Sequence, residues 1–164
     1  MDREEIGRMA SVEGFANEHI AVGILMKKFQ NVSLVDLPLS SYDIIIARKL
    51  ENGKEDIIRA QVKTARKSIS FRGGTRGGVD RTYKSGVKEY TQSHETSDIV
   101  IGVTPLPDSQ YDLYFIPSLL IEMIGQKSIS INKVQFLKNN FEVISHCKEQ
   151  DFIKSLYKEY LQLK

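Results

Sequence analysis

Two carboxylates, one amide and one lysine lie in stretches of this chain that are otherwise apolar. Glu18 falls within a predicted helix. Asp43, Gln61 and Lys63 fall on two predicted strands. A charged group among apolar neighbours costs free energy unless it is paired or binds something. Either Asp43 and Lys63 form a structural ion pair that closes a hairpin, or a metal-binding carboxylate lies beside a catalytic lysine.

The helix that carries Glu18 is predicted over residues 11–29. Apolar residues recur at helical spacing on the face of Glu18, and these are Phe15, Val22, Leu25 and Phe29. Because the run 20–26 is apolar on nearly every side, we expect this helix to be well buried. A carboxylate on a buried face needs a partner, whereas a Glu18 at the edge of the stripe is an ordinary surface residue.

The other three polar residues belong to a predicted β-hairpin. Its strands cover residues 42–48 and 56–64, and an Asn-Gly turn at residues 51–54 connects them. Because side chains alternate between the two sides of a strand, Gln61 and Lys63 share one face. Both strands are otherwise apolar here, which favours the centre of a sheet. If the first helix packs on this hairpin, the two acids and the lysine all reach one point.

The rest of the chain predicts short elements. Strands are predicted at residues 68–71, 98–103, 111–116 and 128–131, a short helix at 117–123 and an amphipathic helix at 151–161. Four glycines among residues 72–78 exclude a regular element there and predict a flexible loop. Residues 83–93 fit a short helix or an extended loop. The order of helix, hairpin, strands and helix predicts an α/β fold with a mixed β-sheet flanked by helices.

Basic residues are concentrated in the segment 63–89. This segment carries a net charge of +6, and the rest of the chain carries −4. Such an excess is typical of a surface that binds a polyanion, although a solvated loop with chance charges is the alternative. Tyr83 and Tyr90 either stack on bases or pack in the core. The basic residues that would bind a nucleic acid are Arg66, Lys67, Arg72, Arg76, Arg81, Lys84 and Lys88.

Composition excludes several other classes of protein. The chain has 164 residues, which fits one domain, and its 41% hydrophobic and 27% charged residues are ordinary for a soluble globular protein. Cys147 is the only cysteine, which excludes an internal disulfide and favours a reducing, cytoplasmic compartment. The longest apolar run, 20–26, is far shorter than the roughly 20 residues of a membrane-spanning helix. The charged N-terminus predicts no signal peptide.

The order of the polar residues resembles that of the PD-(D/E)XK nuclease superfamily. Its members place a glutamate on a helix and then an aspartate on a strand. The next strand carries an acid or glutamine, any residue, and lysine, and this chain has Gln61-Val62-Lys63 there. Residues 14–18 resemble the helix signature of archaeal Holliday-junction resolvases. Residues 42–45, 61–66 and 114–117 are similar to the branch of group I intron homing endonucleases and archaeal endonuclease-like proteins, which has a QxK active site.

The resemblance covers about residues 12–118 and implies a restriction-endonuclease-like core. Residues 1–164 would form a single nuclease-like domain, with its core at about 11–118 and a C-terminal extension at 119–164. The implied function is a metal-dependent DNA endonuclease of the homing, restriction or junction-resolving kind. The implied partners are DNA and further copies of the chain, as a homodimer or a higher homo-oligomer.

The resemblance also implies a set of ligands for Mg²⁺, with Mn²⁺ as a possible substitute. These are Asp43, the Gln61 side chain, the Val62 backbone carbonyl, and Glu18 directly or through water. Lys63 would position the attacking water and stabilise the charge at phosphorus. Asp43, Gln61, Lys63 and Glu18 are thus the implied catalytic residues.

Two residues depart from the pattern of the superfamily. Tyr42 stands in place of the proline, which is a harmless change. Gln61 stands where most members have an acid, and its oxygen ligates Mg²⁺ less strongly because it lacks a charge. This glutamine keeps open a catalytically inactive nucleic-acid-binding protein on the same fold. A third alternative is an α/β domain in which Asp43 and Lys63 are only a structural pair.

Overall fold

A five-stranded mixed β-sheet with helices packed against it is the centre of this protein. The computed structural model describes residues 2–37, 40–74 and 89–163. The strands are β1 (Val32–Leu34), β2 (Ile44–Lys49), β3 (Glu55–Thr64), β4 (Ser68–Ser70), β5 (Arg72–Gly73), β6 (Tyr90–Thr91), β7 (Ile99–Pro105), β8 (Tyr111–Pro117) and β9 (Ser128–Ser130). The helices are α1 (Arg3–Phe29), α2 (Ser118–Ile124), α3 (Glu142–His146) and α4 (Gln150–Gln162), with 3₁₀ turns at Pro107–Ser109 and Ile131–Leu137. The predicted α/β class is confirmed.

The predicted hairpin lies in the middle of this sheet. The strand order is β1-β2-β3-β7-β8, so β3 is the central strand. It pairs antiparallel with β2 and parallel with β7, where Gly102 lies opposite Lys63. Gly53 closes the turn with a φ of 77°, a conformation that glycine adopts without steric cost. The hairpin and its central position are therefore confirmed.

One face of the hairpin is apolar and buried. Its side chains alternate along the two strands, and they are Ile44, Ile46, Ile58, Ala60 and Val62. Burial of these residues fixes the register, because a slip of one residue would expose all of them. Gln61 and Lys63 consequently lie on the opposite face, where both are partly exposed.

Helix α1 is longer and more exposed than predicted. It begins at Arg3, where Asp2 accepts a hydrogen bond from the Glu5 backbone N–H at 2.8 Å. The residues that it buries are Asn17, Ala21 and Leu25, one turn apart. Phe15 is 62% exposed, so the prediction that this helix is well buried was wrong. Its contact with the sheet is one narrow stripe, and a polar asparagine begins that stripe.

The hydrophobic core includes residues from both ends of the chain. The predicted C-terminal helix is confirmed as α4, which buries Ile153, Leu156 and Tyr160 and packs against α2. Strand β1, helix α3 and the 3₁₀ turn Ile131–Leu137 were not predicted. These elements are short, so tertiary contacts rather than a periodic pattern determine them. No helix in the described ranges is long and apolar enough to cross a membrane.

A small antiparallel ribbon stands within the segment that was predicted to be a loop. Its strands are β5 and β6, and Gly73 pairs with Tyr90. A Cβ atom on Gly73 would lie 2.5 Å from the Tyr90 Cζ atom, so any larger residue here would require the Tyr90 ring to move. The prediction of a loop over residues 72–78 was therefore wrong at its first two residues. The remainder of that prediction from residue 75 onward, and the prediction for 83–88, lie outside the described residues.

Candidate active site

The Asp43 carboxylate is held against the central strand. Asp43 immediately precedes β2, and its backbone N–H donates to the Ala60 carbonyl at 2.8 Å. Its Oδ2 atom accepts hydrogen bonds from the Val62 backbone N–H at 2.7 Å and from the Gln61 Nε2 at 2.6 Å. The pairing of β2 with β3 thus brings these three predicted site residues together, although they are far apart in sequence.

Glu18 on α1 faces the same place. Burial and then the charge of Asp43 raise the pKa of Glu18 to about 7, while His19 and Lys63 oppose this shift. The charges of Asp43 and Lys63 both contribute to this pKa shift, so Glu18 is near both residues. In the structure Glu18 thus lies within electrostatic reach of both Asp43 and Lys63.

The environment of Asp43 itself is unfavourable to a negative charge. Burial raises the pKa of this carboxyl group, and the Val62 backbone N–H, the Lys63 charge and the Gln61 hydrogen bond lower it only in part. Two half-buried carboxylates therefore lie close together, and one lysine acts on both. A bound cation would stabilise such a pair.

Asn17 connects the helix to the central strand directly at this site. It is 2% exposed, and its Nδ2 donates to the Thr64 Oγ1 at 2.8 Å. Asn17 precedes Glu18 and Thr64 follows Lys63, so this one bond fixes the two site residues relative to each other. The sequence analysis missed Asn17. The available signal was its spacing, because Asn17 stands one and two helical turns before Ala21 and Leu25 and therefore shares their face of the helix.

A second buried amide, Gln92, lies behind Gln61. It is 1% exposed and its Nε2 donates to the Gln61 Oε1 at 3.4 Å. Its own Oε1 accepts from the Thr96 Oγ1 at 2.6 Å and the Ser97 Oγ at 3.0 Å. The sequence offered no signal for this residue, because it lies where neither helix nor strand could be predicted.

Tyr90 on β6 lies at the edge of the site, near Gln92 and Asp43. Burial and the nearby Asp43 charge raise the pKa of its hydroxyl, and a hydrogen bond with Gln92 lowers it. The proximity of Tyr90 to Asp43 shows that the β5–β6 ribbon borders the carboxylates. The two strands of this ribbon therefore lie beside the site, and the segment that connects them in sequence carries four of the seven predicted DNA-binding residues.

The donors present fit a hard cation. They are oxygen atoms of Asp43, Glu18 and the Val62 main chain, and the Gln61 carboxamide lies next to them. Within residues 2–37, 40–74 and 89–163, no group of three or more histidine, cysteine or acidic side chains is arranged so that it could hold a metal ion. Mg²⁺ is ordinarily bound by one or two carboxylates, with waters and substrate phosphates filling its remaining positions. Two carboxylates and a backbone carbonyl match that requirement.

Three of the predicted DNA-binding residues lie in the described part of the chain. Arg66 follows β3, is 74% exposed at its side chain and pairs with Glu13 of α1 at 2.8 Å. Arg72 on β5 pairs with Glu89 at 3.1 Å, and Lys67 is exposed. The other four lie outside the described residues, and they are Arg76, Arg81, Lys84 and Lys88.

Comparison with known proteins gives the class of fold. The fold is similar to the solved structure of a bacterial homing endonuclease, I-Ssp6803I, with a TM-score of 0.52 over 73% of this chain and 76% of that chain. The two sequences are 16% identical, so the likeness shows the fold alone. No family model and no curated protein matches the sequence.

Proposed function

We propose that this protein is a metal-dependent DNA endonuclease that hydrolyses phosphodiester bonds. The observation that carries the proposal is the convergence of Glu18, Asp43, Gln61 and Lys63 beside the central strand of a nuclease fold. Two carboxylates and a lysine in one partly buried place have a chemical use in phosphodiester hydrolysis. As a purely structural set they would be costly, because burial raises the pKa of both acids.

Asp43, Glu18 and the Val62 carbonyl would hold Mg²⁺ or Mn²⁺, and Gln61 would add its carboxamide oxygen after turning. When bound, such an ion polarises the scissile phosphate and lowers the pKa of a bound water. The Val62 N–H keeps the Asp43 carboxylate in place, so the ligand is oriented before DNA arrives. Lys63 supplies a positive charge beside both carboxylates, where it would position the water and stabilise the charge that develops on the phosphoryl oxygens.

The basic segment would hold the DNA backbone. Arg66 and Lys67 follow β3 and Arg72 lies on β5, and their charges would contact phosphates without regard to sequence. Cleavage of both strands of a duplex calls for two active sites related by a two-fold axis. We therefore propose that the protein acts as a homodimer or higher homo-oligomer, and that residues 1–164 form one nuclease-like domain.

A cleavage assay tests this function. Supercoiled plasmid and a synthetic four-way junction are incubated with Mg²⁺, Mn²⁺ or EDTA and with the wild type, Lys63→Ala or Lys158→Ala. Lys158 is an exposed lysine of α4 and serves as the matched control. We expect cutting that needs metal, is lost in Lys63→Ala and persists in Lys158→Ala. Discrete plasmid fragments would identify a sequence-specific enzyme, and cutting of the junction alone a resolvase.

One observation favours a second candidate, a DNA-binding protein that has lost catalysis. Gln61 turns its NH₂ group, not its oxygen, toward Asp43. If this orientation is permanent, the site has one ligand fewer than the superfamily pattern provides. Such a protein would bind DNA in a gel-shift assay at about 100 mM salt. Neither Mg²⁺ nor Mn²⁺ would then lead to cleavage of the DNA that it binds. The variants Asp43→Ala and Lys63→Ala would then have roughly the same affinity for DNA as the wild type.

A further inference from the structure

The orientation of Gln61 is determined by residues behind it. Gln61 has a donor end and an acceptor end, and the structure uses both. Its Nε2 donates to Asp43 at 2.6 Å, and its Oε1 accepts from the Gln92 Nε2 at 3.4 Å. The direction of the carboxamide therefore depends on which end of Gln92 faces it.

The direction of Gln92 is in turn determined by two hydroxyl groups. The Gln92 Oε1 accepts from the Thr96 Oγ1 at 2.6 Å and from the fully buried Ser97 Oγ at 3.0 Å. Turning Gln92 over would place its NH₂ group against these hydroxyls. Both hydroxyls would then have to accept instead of donate, and the Thr96 Oγ1 already accepts from the Ser93 backbone N–H at 3.0 Å. Because Gln92 is 1% exposed, water could not replace a hydrogen bond lost in this exchange.

The segment that carries these hydroxyls is itself anchored. Arg59 of β3 donates to the His94 carbonyl at 2.7 Å and the Glu95 carbonyl at 3.2 Å, and its guanidinium also binds the Asp98 carboxylate. The Gln92 backbone N–H donates to the Phe71 carbonyl at 2.7 Å. The series of hydrogen bonds from Ser97 through Gln92 and Gln61 to Asp43 thus starts from a segment that Arg59 anchors. In each bond the residue nearer Ser97 is the donor.

We propose that Gln92 is a positioning residue that keeps the NH₂ end of Gln61 turned toward Asp43. In the metal-free protein Gln61 then acts as a hydrogen-bond donor to the carboxylate. To present its oxygen to a cation, Gln61 must turn and give up the contact with Gln92. The second part of this inference rests on the proposed function, and the first part does not.

The variant Gln92→Glu, studied at alkaline pH so that its buried carboxyl group is ionised, is expected to reverse the carboxamide. One oxygen of the new side chain still accepts from Thr96 and Ser97, and the other accepts from the NH₂ group of Gln61. The Gln61 oxygen then faces Asp43 and is available to a metal ion. We expect the Mn²⁺ concentration at half-saturation, measured by calorimetry without DNA, to fall by about fivefold.

The added negative charge would tighten Mn²⁺ binding by itself, so the same change is made in a Gln61→Leu background. We expect the gain there to be clearly smaller than in the wild-type background, because no carboxamide remains to turn. An equal gain in both backgrounds would show a charge effect only and would overturn the proposal.

A second measurement needs neither metal nor cleavage. The side-chain NH₂ resonances of Gln61 are identified by their loss in Gln61→Leu, and their exchange with solvent is measured in EDTA. We expect slow exchange in the wild type and faster exchange in Gln92→Met and in the milder Ser97→Ala. Unchanged exchange in both variants would overturn the positioning role. A wild type without metal-dependent cleavage but with these NMR effects would contradict the proposed function alone.

Discussion

Asp43 and Glu18 are two acidic side chains whose negative charge is disfavoured by their surroundings in the fold. Each is partly buried, and burial raises the pKa of each carboxyl group above its ordinary value. The Val62 N–H and the Lys63 charge offset this only in part. The pair therefore lowers the stability of the metal-free protein, and that cost is a reason to expect a ligand.

Glu18→Gln is expected to raise the melting temperature in EDTA at neutral and alkaline pH. The pKa of Glu18 is about 7 in the folded protein and 4.5 ordinarily, so between these values the folded state binds more protons than the unfolded state. The stability of the wild type therefore falls as the pH rises through this interval, and the glutamine variant avoids that loss. We expect the difference in melting temperature to grow from about pH 5 to about pH 8. Parallel curves, as expected for the exposed control Glu51→Gln, would contradict this account.

If the proposed function is correct, Asp43→Asn is expected to reduce metal-dependent cleavage at least about a hundredfold, because the proposed carboxylate ligand of the metal loses its charge. The variant should remain folded and be no less stable than the wild type, because its environment disfavours the charge. Asp108→Asn, at an exposed turn with a φ of 58°, is the control. A strong loss of stability in Asp43→Asn would favour the structural ion pair over an active site.

The hydrogen bond between Asn17 and Thr64 is the direct connection of α1 to β3 next to the site. Asn17→Ala removes a buried amide and leaves the partly buried Thr64 hydroxyl without this partner, so we expect a loss of about 1–2 kcal/mol in the free energy of unfolding by urea. A double-mutant cycle with Thr64→Val isolates the bond, and a coupling of at least about 0.5 kcal/mol is expected. Either single change should also reduce cleavage, since the bond positions α1, which carries Glu18, beside β3, which carries Lys63. Additive effects of the two changes would show that the bond does not position the helix.

The β5–β6 ribbon depends on the close contact of Gly73 with the Tyr90 ring. In Gly73→Ala the added Cβ would lie 2.5 Å from the ring, so the ring must move. We expect a loss of about 1–3 kcal/mol of stability and reduced cleavage, since Tyr90 borders Asp43. The matched control is Gly23→Ala on α1, where nothing lies within 4 Å, and a gain of up to about 1 kcal/mol is expected there. Combining Gly73→Ala with Tyr90→Ala should recover the stability lost by the first change, and failure to do so would exclude this contact as the cause.

The distribution of charge over the protein predicts how it would bind DNA under the proposed function. The net charge is only +2, yet the segment 63–89 carries +6. Arg66→Ala combined with Arg72→Ala should weaken binding uniformly across sequences and reduce the slope of log affinity against log salt by about 2. Lys158→Ala on α4 should leave that slope unchanged. Glu13→Gln, which releases Arg66 from its ion pair, should strengthen binding.

Local rules were sufficient for the hairpin and for the order of the site residues. The Asn-Gly turn and the alternation of side chains act between neighbours in sequence, and they placed Gln61 and Lys63 on one face of a central strand. The same periodicity gave the wrong burial for α1. It counts apolar residues and cannot identify which stripe of a helix meets the sheet, and here that stripe begins with the polar Asn17.

Only the tertiary structure shows what surrounds the four residues that the sequence identifies. The partners of Asn17 and Gln61 are 47 and 31 residues away along the chain, and neither carries a pattern of its own. A hydrogen bond between buried amides has no period and no sequence signature, because it depends on the packing of whole elements against one another. The sequence thus determined which chemical groups are present and on which elements they lie. Packing decided their orientation, their pKa values and the neighbours that hold them.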